Sequence, residues 1–171
     1  MNRTSKIFTL LCVLAGSGMA QAGDVKPAPN GIAFPADYVD WRVISVSHRI
    51  DNKTMRVILG NDIAIKAARE GKTNPWPKGA VLGKVVWKEA PEKDWPTAIA
   101  PKKFVHAEFM FKDSEKYAAT GGWGYARWKG PKLKVHGKDA GFANECVACH
   151  TPVKDNDYVF TQPAPLFNTI K

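Results

Sequence analysis

Near the end of the chain stands Cys146-Val147-Ala148-Cys149-His150, and this pentapeptide limits the possible folds more than any other stretch. At 3.6 residues per turn, positions i, i+3 and i+4 of a helix share one face. Both thiols and the imidazole therefore point the same way only if the segment is helical. Two thiols so placed form thioethers with the vinyl groups of a haem, and the histidine that follows turns a ring nitrogen to the iron. A disulfide-exchange CxxC would want a strand–helix–strand setting and has no use for the histidine. One helix, over residues 139–150 and stopped by Pro152, is thus expected late in the chain. The residues before it have to supply the rest of a pocket.

Residues 1–22 have the form of a secretory signal. Arg3 and Lys6 make the charged start, an apolar run follows, and Ala20-Gln21-Ala22 is a cleavage site of A-x-A type. The run is too short and too interrupted by Gly16 and Gly18 to span a membrane. Cys12 lies inside this segment and leaves with it, so Cys146 and Cys149 are the cysteines of the mature chain. Export through the Sec route to the periplasm is the expected address, in keeping with haem c attachment outside the cytoplasm. What remains is one domain of about 150 residues, with 23–31 as a flexible lead-in and 32–171 as the haem domain. The formal charge of the whole chain is +9. Its lysines gather at Lys129, Lys132, Lys134 and Lys138, which reads first as a solvated face and second as a dock for an acidic redox partner. An exported chain without a base-reading motif is not a nucleic-acid binder.

The stretch ahead of the motif alternates between strand and short-helix signals. Pro35 opens a short helix, and residues 42–50 form a strand with Ile44, Val46 and Ile50 on one side. Residues 54–59 are a second strand. Asn61 caps a helix that Gly71 ends. Residues 80–88 are a third strand, 90–103 a proline-rich loop, 104–111 a fourth strand, 114–120 a helix and 123–128 a fifth strand. No long stripe of 3.6 period supports a helical bundle. The fold class expected is α+β: a mainly antiparallel sheet of about five strands, short helices, and a C-terminal helix carrying the haem motif.

Three strand residues are out of place. In the third strand Ala80, Leu82, Lys84 and Val86 share one side and Val81, Gly83, Val85 and Trp87 the other, so both faces read as buried. A lysine there is costly unless it finds water, an anion or a covalent partner; by pattern alone it snorkels to the sheet edge. Arg56 shares a face with Thr54 and Ile58 and reads as a half-exposed arginine. In the fourth strand His106, Glu108 and Met110 share a face that is either solvent or a polar pocket, solvent being the ordinary case. Met55, Met110, His48, His106 and His136 are the candidates for a second axial ligand. A Met/His-ligated haem moves electrons, whereas an open position binds and transforms small molecules, and the residues alone leave that choice open.

The order of these features resembles the cytochrome P-460 family with its cytochrome c′-beta relatives. The likeness runs from Phe34-Pro35-Ala36-Asp37-Tyr38-Val39-Asp40-Trp41 through Arg56, Gly79-Ala80-Val81-Leu82-Gly83-Lys84 and Glu108-Phe109-Met110-Phe111-Lys112-Asp113-Ser114. It continues in Gly122-Trp123-Gly124-Tyr125 and closes on the haem motif and Tyr158-Val159-Phe160-Thr161. The resemblance implies one haem c, held by Cys146 and Cys149 with His150 on the iron. It implies also that Lys84 matches the lysine joined to a porphyrin meso carbon, Glu108 the distal glutamate and Arg56 the distal arginine. The activity implied is oxidation of hydroxylamine to nitric or nitrous oxide at a five-coordinate iron, with Glu108 as proton acceptor, Arg56 as hydrogen-bond donor to bound nitrogen oxides and a soluble cytochrome as redox partner. A homodimer is implied as well. The c′-beta relatives bind nitric oxide or carbon monoxide under distal phenylalanines, a cap that Phe34, Phe109 and Phe111 are expected to offer in that alternative. A plain electron-transfer cytochrome is the other alternative.

Overall fold

In the structure, a computed structural model that describes residues 25–166, the strands run in the order of the sequence. The signal segment expected at 1–22 lies outside the described residues. β1 (Arg42–Arg49), β2 (Thr54–Gly60), β3 (Val81–Pro91), β4 (Ile99–Lys112), β5 (Trp123–Lys129) and β6 (Lys134–Val135) form one six-stranded sheet, antiparallel throughout. Helix α1 (Asp62–Arg69) follows β2, and α2 (Ala143–His150) carries the motif. The fold is α+β. Among the described residues no helix is long and apolar enough to cross a membrane.

The sheet is covered on both faces, which is why Val81 to Trp87 is a continuous apolar run broken by one lysine. One face packs Ile58, Leu82, Trp123 and Tyr125 against Ile65 and Ala64 of α1, Trp76 and Val159. The other packs Ala107, Phe109, Ala126 and Trp128 against Ala28, Ile32 and Phe142, with Phe34, Tyr38 and Trp41 around Phe109. On this second face Phe109 meets Phe34, Tyr38, Trp41 and Trp128 edge to face at centroid distances of 5.5–6.0 Å. Gly83 sits beneath this cluster because a Cβ there would come within 2.9 Å of the Phe109 ring.

Helix α1 begins as the sequence indicates. The Asn61 side-chain oxygen accepts from the backbone N–H of Ala64 at 3.0 Å and of Val81 at 3.1 Å, while its amide donates to the Gly79 carbonyl at 2.9 Å. One side chain thus caps α1 and stitches it to the start of β3. Asn61→Ala is expected to destabilise the protein by about 1–2 kcal/mol, read as a lower urea midpoint with unchanged slope. A midpoint equal to that of the unaltered protein would show that the cap is dispensable.

Several expectations need correction. The sheet has six strands, the extra pair of residues lying within the expected basic loop. Residues 90–103 are a loop only over 92–98: β3 and β4 extend into a hairpin pairing Glu89 with Pro101, Ala90 with Ala100 and Pro91 with Ile99. The prolines are tolerated because they fall beside register breaks and at the strand end, where a missing N–H is harmless. In β1 a register shift between Val43 and Ser45 separates the residues expected on one side, so Ile44 is buried while Val46 and Ile50 are exposed. The helix expected at 114–120 shrinks to turns and a short 3-10 helix at Ala118–Thr120, with Asp113 accepting from the N–H groups of Glu115 and Lys116. The motif helix ends at His150 as expected, but Pro152 then lies in the first turn of a 3-10 helix, Thr151–Asn156. The lead-in, over its described part, is anchored: Trp128 Nε1 donates to the Lys26 carbonyl, and Ala28 is buried.

Candidate haem site

Strand pairing puts Ile58, Lys84, Glu108 and Arg127 side by side on one rung across β2, β3, β4 and β5. The next rung holds Arg56, Val86, His106 and Lys129, and the rung on the other side Gly60, Leu82, Met110 and Tyr125. Lys84, Glu108 and Arg56 therefore share the sheet face that packs α1, Trp76 and Val159. Glu108 is the centre of the cluster, with its side chain only 15% exposed. The Lys84 ammonium pairs with its Oε1, Arg127 Nε donates to its Oε2 at 2.5 Å, and His106 Nε2 stands 3.6 Å from Oε1. Burial alone would push the Glu108 carboxyl up, but the contact with His106 and the charges of Lys84 and Arg127 outweigh it and hold the group well below the usual carboxylate range. The solvent-facing reading of this face does not hold, and Lys84, half-buried, turns to Glu108 rather than to the sheet edge.

Arg56 lies one rung away, half-buried. Its Nη2 donates to Thr54 Oγ1 at 3.1 Å, and its Nε is buried with no partner. Burial, with the nearby positive charge of Arg49, pushes its pKa down. Such an orphaned donor is a vacant hydrogen bond, and buried donors are rarely left so without a function.

The motif is on α2 as its spacing requires. Cys146 is half-buried against both cores, Cys149 is exposed, and both thiols are free. Burial pushes the Cys146 thiol up, unlike the activated thiolate of an exchange motif. His150 Nδ1 lies 2.6 Å from the Tyr158 carbonyl and donates to it, which leaves Nε2 with a lone pair for a metal. Burial pushes the imidazole pKa down, so it stays neutral as a ligand must. The rings of Tyr125 and Phe160 flank it at 5.4 and 5.2 Å. Among the described residues, the Tyr125 hydroxyl is the other buried side-chain group without a partner. Two free thiols and a tautomer-fixed imidazole on one helix, with two orphaned donors on the sheet face it joins, fit a haem.

The structure also sorts the other candidates. Met55 and His48 sit on the opposite side of the sheet from Arg56, with His48 paired to Glu89. Met110 packs in the core beside Leu82, and His136 leans on Phe142 and Glu145. His106 alone adjoins the charged cluster, through Glu108. Phe34, Phe109 and Phe111 are not placed to cap the haem: Phe109 and Phe111 alternate with Glu108 and Met110 along β4 and so lie on the far face, where Phe34 packs against Phe109.

Arg127 was not anticipated. Its signal is nevertheless present, since Trp123, Tyr125 and Arg127 alternate on one side of β5 as Leu82, Lys84 and Val86 do on β3. The model of the cytochrome P-460 family matches residues 35–161. No curated protein matches the chain.

Proposed function

The chain belongs to the cytochrome P-460 family, which makes it a haem protein, and from that premise we propose that it oxidises hydroxylamine to nitric or nitrous oxide at a single haem c with an open distal side. The observation that carries this reading is the rung of Lys84, Glu108 and Arg127 on an interior sheet face, with His150 on the helix that closes over it. A gas-binding pocket wants apolar walls, and here the phenylalanines face away. An electron-transfer cytochrome has no use for a buried carboxylate gripped by two cations.

Cys146 and Cys149 would hold the porphyrin and His150 the iron, while the haem itself, when bound, supplies the electron acceptor. The remaining work belongs to side chains. Every electron withdrawn from hydroxylamine is matched by a proton shed, and Glu108, ionised and enclosed, is the group to receive it. Arg127 keeps the carboxylate in place through its Nε. Arg56 has its Nε free to donate to a bound nitrogen–oxygen group. Lys84, aimed into the same space, would be joined to the porphyrin by a C–N bond that replaces an N–H and a ring C–H. Both hydrogens leave as protons, and the two electrons pass to an external oxidant during maturation. Once its nitrogen is conjugated to an aromatic ring it no longer carries a charge, and Glu108 then loses one of the partners that depress its basicity. Electrons leave to a soluble redox partner. The protein would work in the periplasm, with residues 1–22 removed on export.

The test is an intact mass of the matured protein after denaturation, with peptide mapping and a ferrous spectrum. Porphyrin joined to the Lys84 peptide as well as to that of Cys146 and Cys149, with a red-shifted ferrous Soret band lost in Lys84→Met, is the expected result. Haem held by the cysteines alone, with no hydroxylamine-dependent reduction of a dye, would overturn the proposal. His150→Gly should change the spectrum, and added imidazole should restore it; an unchanged spectrum would show that His150 is not the iron ligand.

A further inference from the structure

The geometry points to a buried ion pair, Lys112 with Asp157, as the device that positions His150 from outside the haem site. Lys112 ends β4 and is 5% exposed. Its Nζ donates to Asp157 Oδ1 at 2.6 Å and stands 4.9 Å over the Trp123 ring. The other carboxylate oxygen of Asp157 accepts the backbone N–H of Trp76 at 2.7 Å, and the Asp157 carbonyl accepts from Trp123 Nε1 at 2.8 Å. Charges taken out of water are tolerated only when paired and hydrogen-bonded, and this pair is both.

What the pair holds is a strained turn. Asp157 and Tyr158 have φ of 48° and 63°, two left-handed non-glycine residues in succession. Such backbone persists only where its surroundings over-determine it. Asp157 supplies that constraint, clamped to β4, to β5 and to the loop at Trp76. The turn in exchange aims the Tyr158 carbonyl at His150 Nδ1, 2.6 Å away. A carbonyl accepting from Nδ1–H fixes the tautomer and makes Nε2 a stronger donor to a metal. The sheet therefore reaches the ligand through Lys112, Asp157 and Tyr158 in turn. Neither charged residue needs to touch haem or substrate, so both are positioning residues. The inference rests on His150 being the axial ligand.

The double variant Lys112→Met/Asp157→Asn tests it in the haem-loaded, full-length protein. Met refills the space under Trp123. Asn tolerates the left-handed backbone and still offers an oxygen to the Trp76 N–H. No lone charge is left buried, so the fold survives, with far-UV circular dichroism as the control. The histidine–iron stretching band of the ferrous protein is expected to broaden and move to lower frequency. The reduction potential should rise, because a weaker donor stabilises the oxidised iron less, and hydroxylamine turnover should fall roughly 10–100-fold. Band and potential unchanged, with only the melting temperature lowered, would show a structural lock and overturn the inference. Failure of the ligand reading itself is seen separately, in the His150→Gly spectrum.

Discussion

Glu108→Gln is expected to slow hydroxylamine-dependent dye reduction by about 10²–10⁴-fold, the usual loss on removing a positioned base, with the haem still attached. Glutamine keeps the shape and can accept from Arg127 Nε, but it cannot take a proton. The loss should appear in kcat more than in KM, since hydroxylamine binding does not require the proton to leave. A rate within a factor of ten of the unaltered enzyme would remove Glu108 from the mechanism. The pH dependence gives a second handle. Lys84 and Arg127 depress the Glu108 pKa, and a base with a depressed pKa stays ionised to lower pH. Once Lys84 is joined to the porphyrin, Arg127 is the charge that persists, and Arg127→Met removes it, so the Glu108 pKa rises and the acid limb of the rate profile moves to higher pH. A limb that moved to lower pH would contradict the assignment.

Replacing both thiols together with the lysine, Cys146→Ala and Cys149→Ala with Lys84→Met, should leave a protein from which denaturation releases all haem. Only His150 would then anchor the cofactor, and coordination does not outlast unfolding. The same variant should be less stable by about 4 kcal/mol or more, the contribution of a ligand present at a thousandfold its dissociation constant. The structural reason is the sheet face itself. Without its cofactor this face presents Lys84, Glu108, Arg127 and Arg56 together, with Arg56 Nε and Tyr125 Oη unpartnered. Intact mass and a thermal melt read both effects. Haem retained through denaturation would have to be bonded outside Lys84, Cys146 and Cys149, and would contradict the assignment.

Much of the sheet is legible in the chain because period-two alternation survives wherever a strand is regular. Lys84 and Glu108 were readable as misfits for that reason: each interrupts an apolar series on its own strand. Pattern along one strand does not say which face meets which partner, and the reading failed there. Phe109 and Phe111 alternate with Glu108, so they could never share its pocket, yet the likeness to the c′-beta relatives invited that role. One inserted residue at Val43–Ser45 was enough to part Ile44 from Val46. Pro91 and Pro101 concealed a hairpin because proline forbids ladder bonds only where its N–H would be needed. Asp157 was invisible for a different reason. Its significance lies in contacts with residues 45 and 81 positions away, Lys112 and Trp76, which no local pattern encodes.

Each strand pairs only with the strands next to it in the chain, from β1 to β6. Order of synthesis is therefore order of assembly, since no hairpin waits for a later segment and few long loops have to close. The sheet is complete at Val135, before Cys146 has been made. A haem arriving at the thiols meets a wall whose charged rung already has all its strands. The pieces laid down last, Asp157 and Tyr158, are those that clamp the ligand. Maturation then resembles closing a lid on a finished vessel, and a chain cut short after His150 would carry the attachment chemistry without the latch.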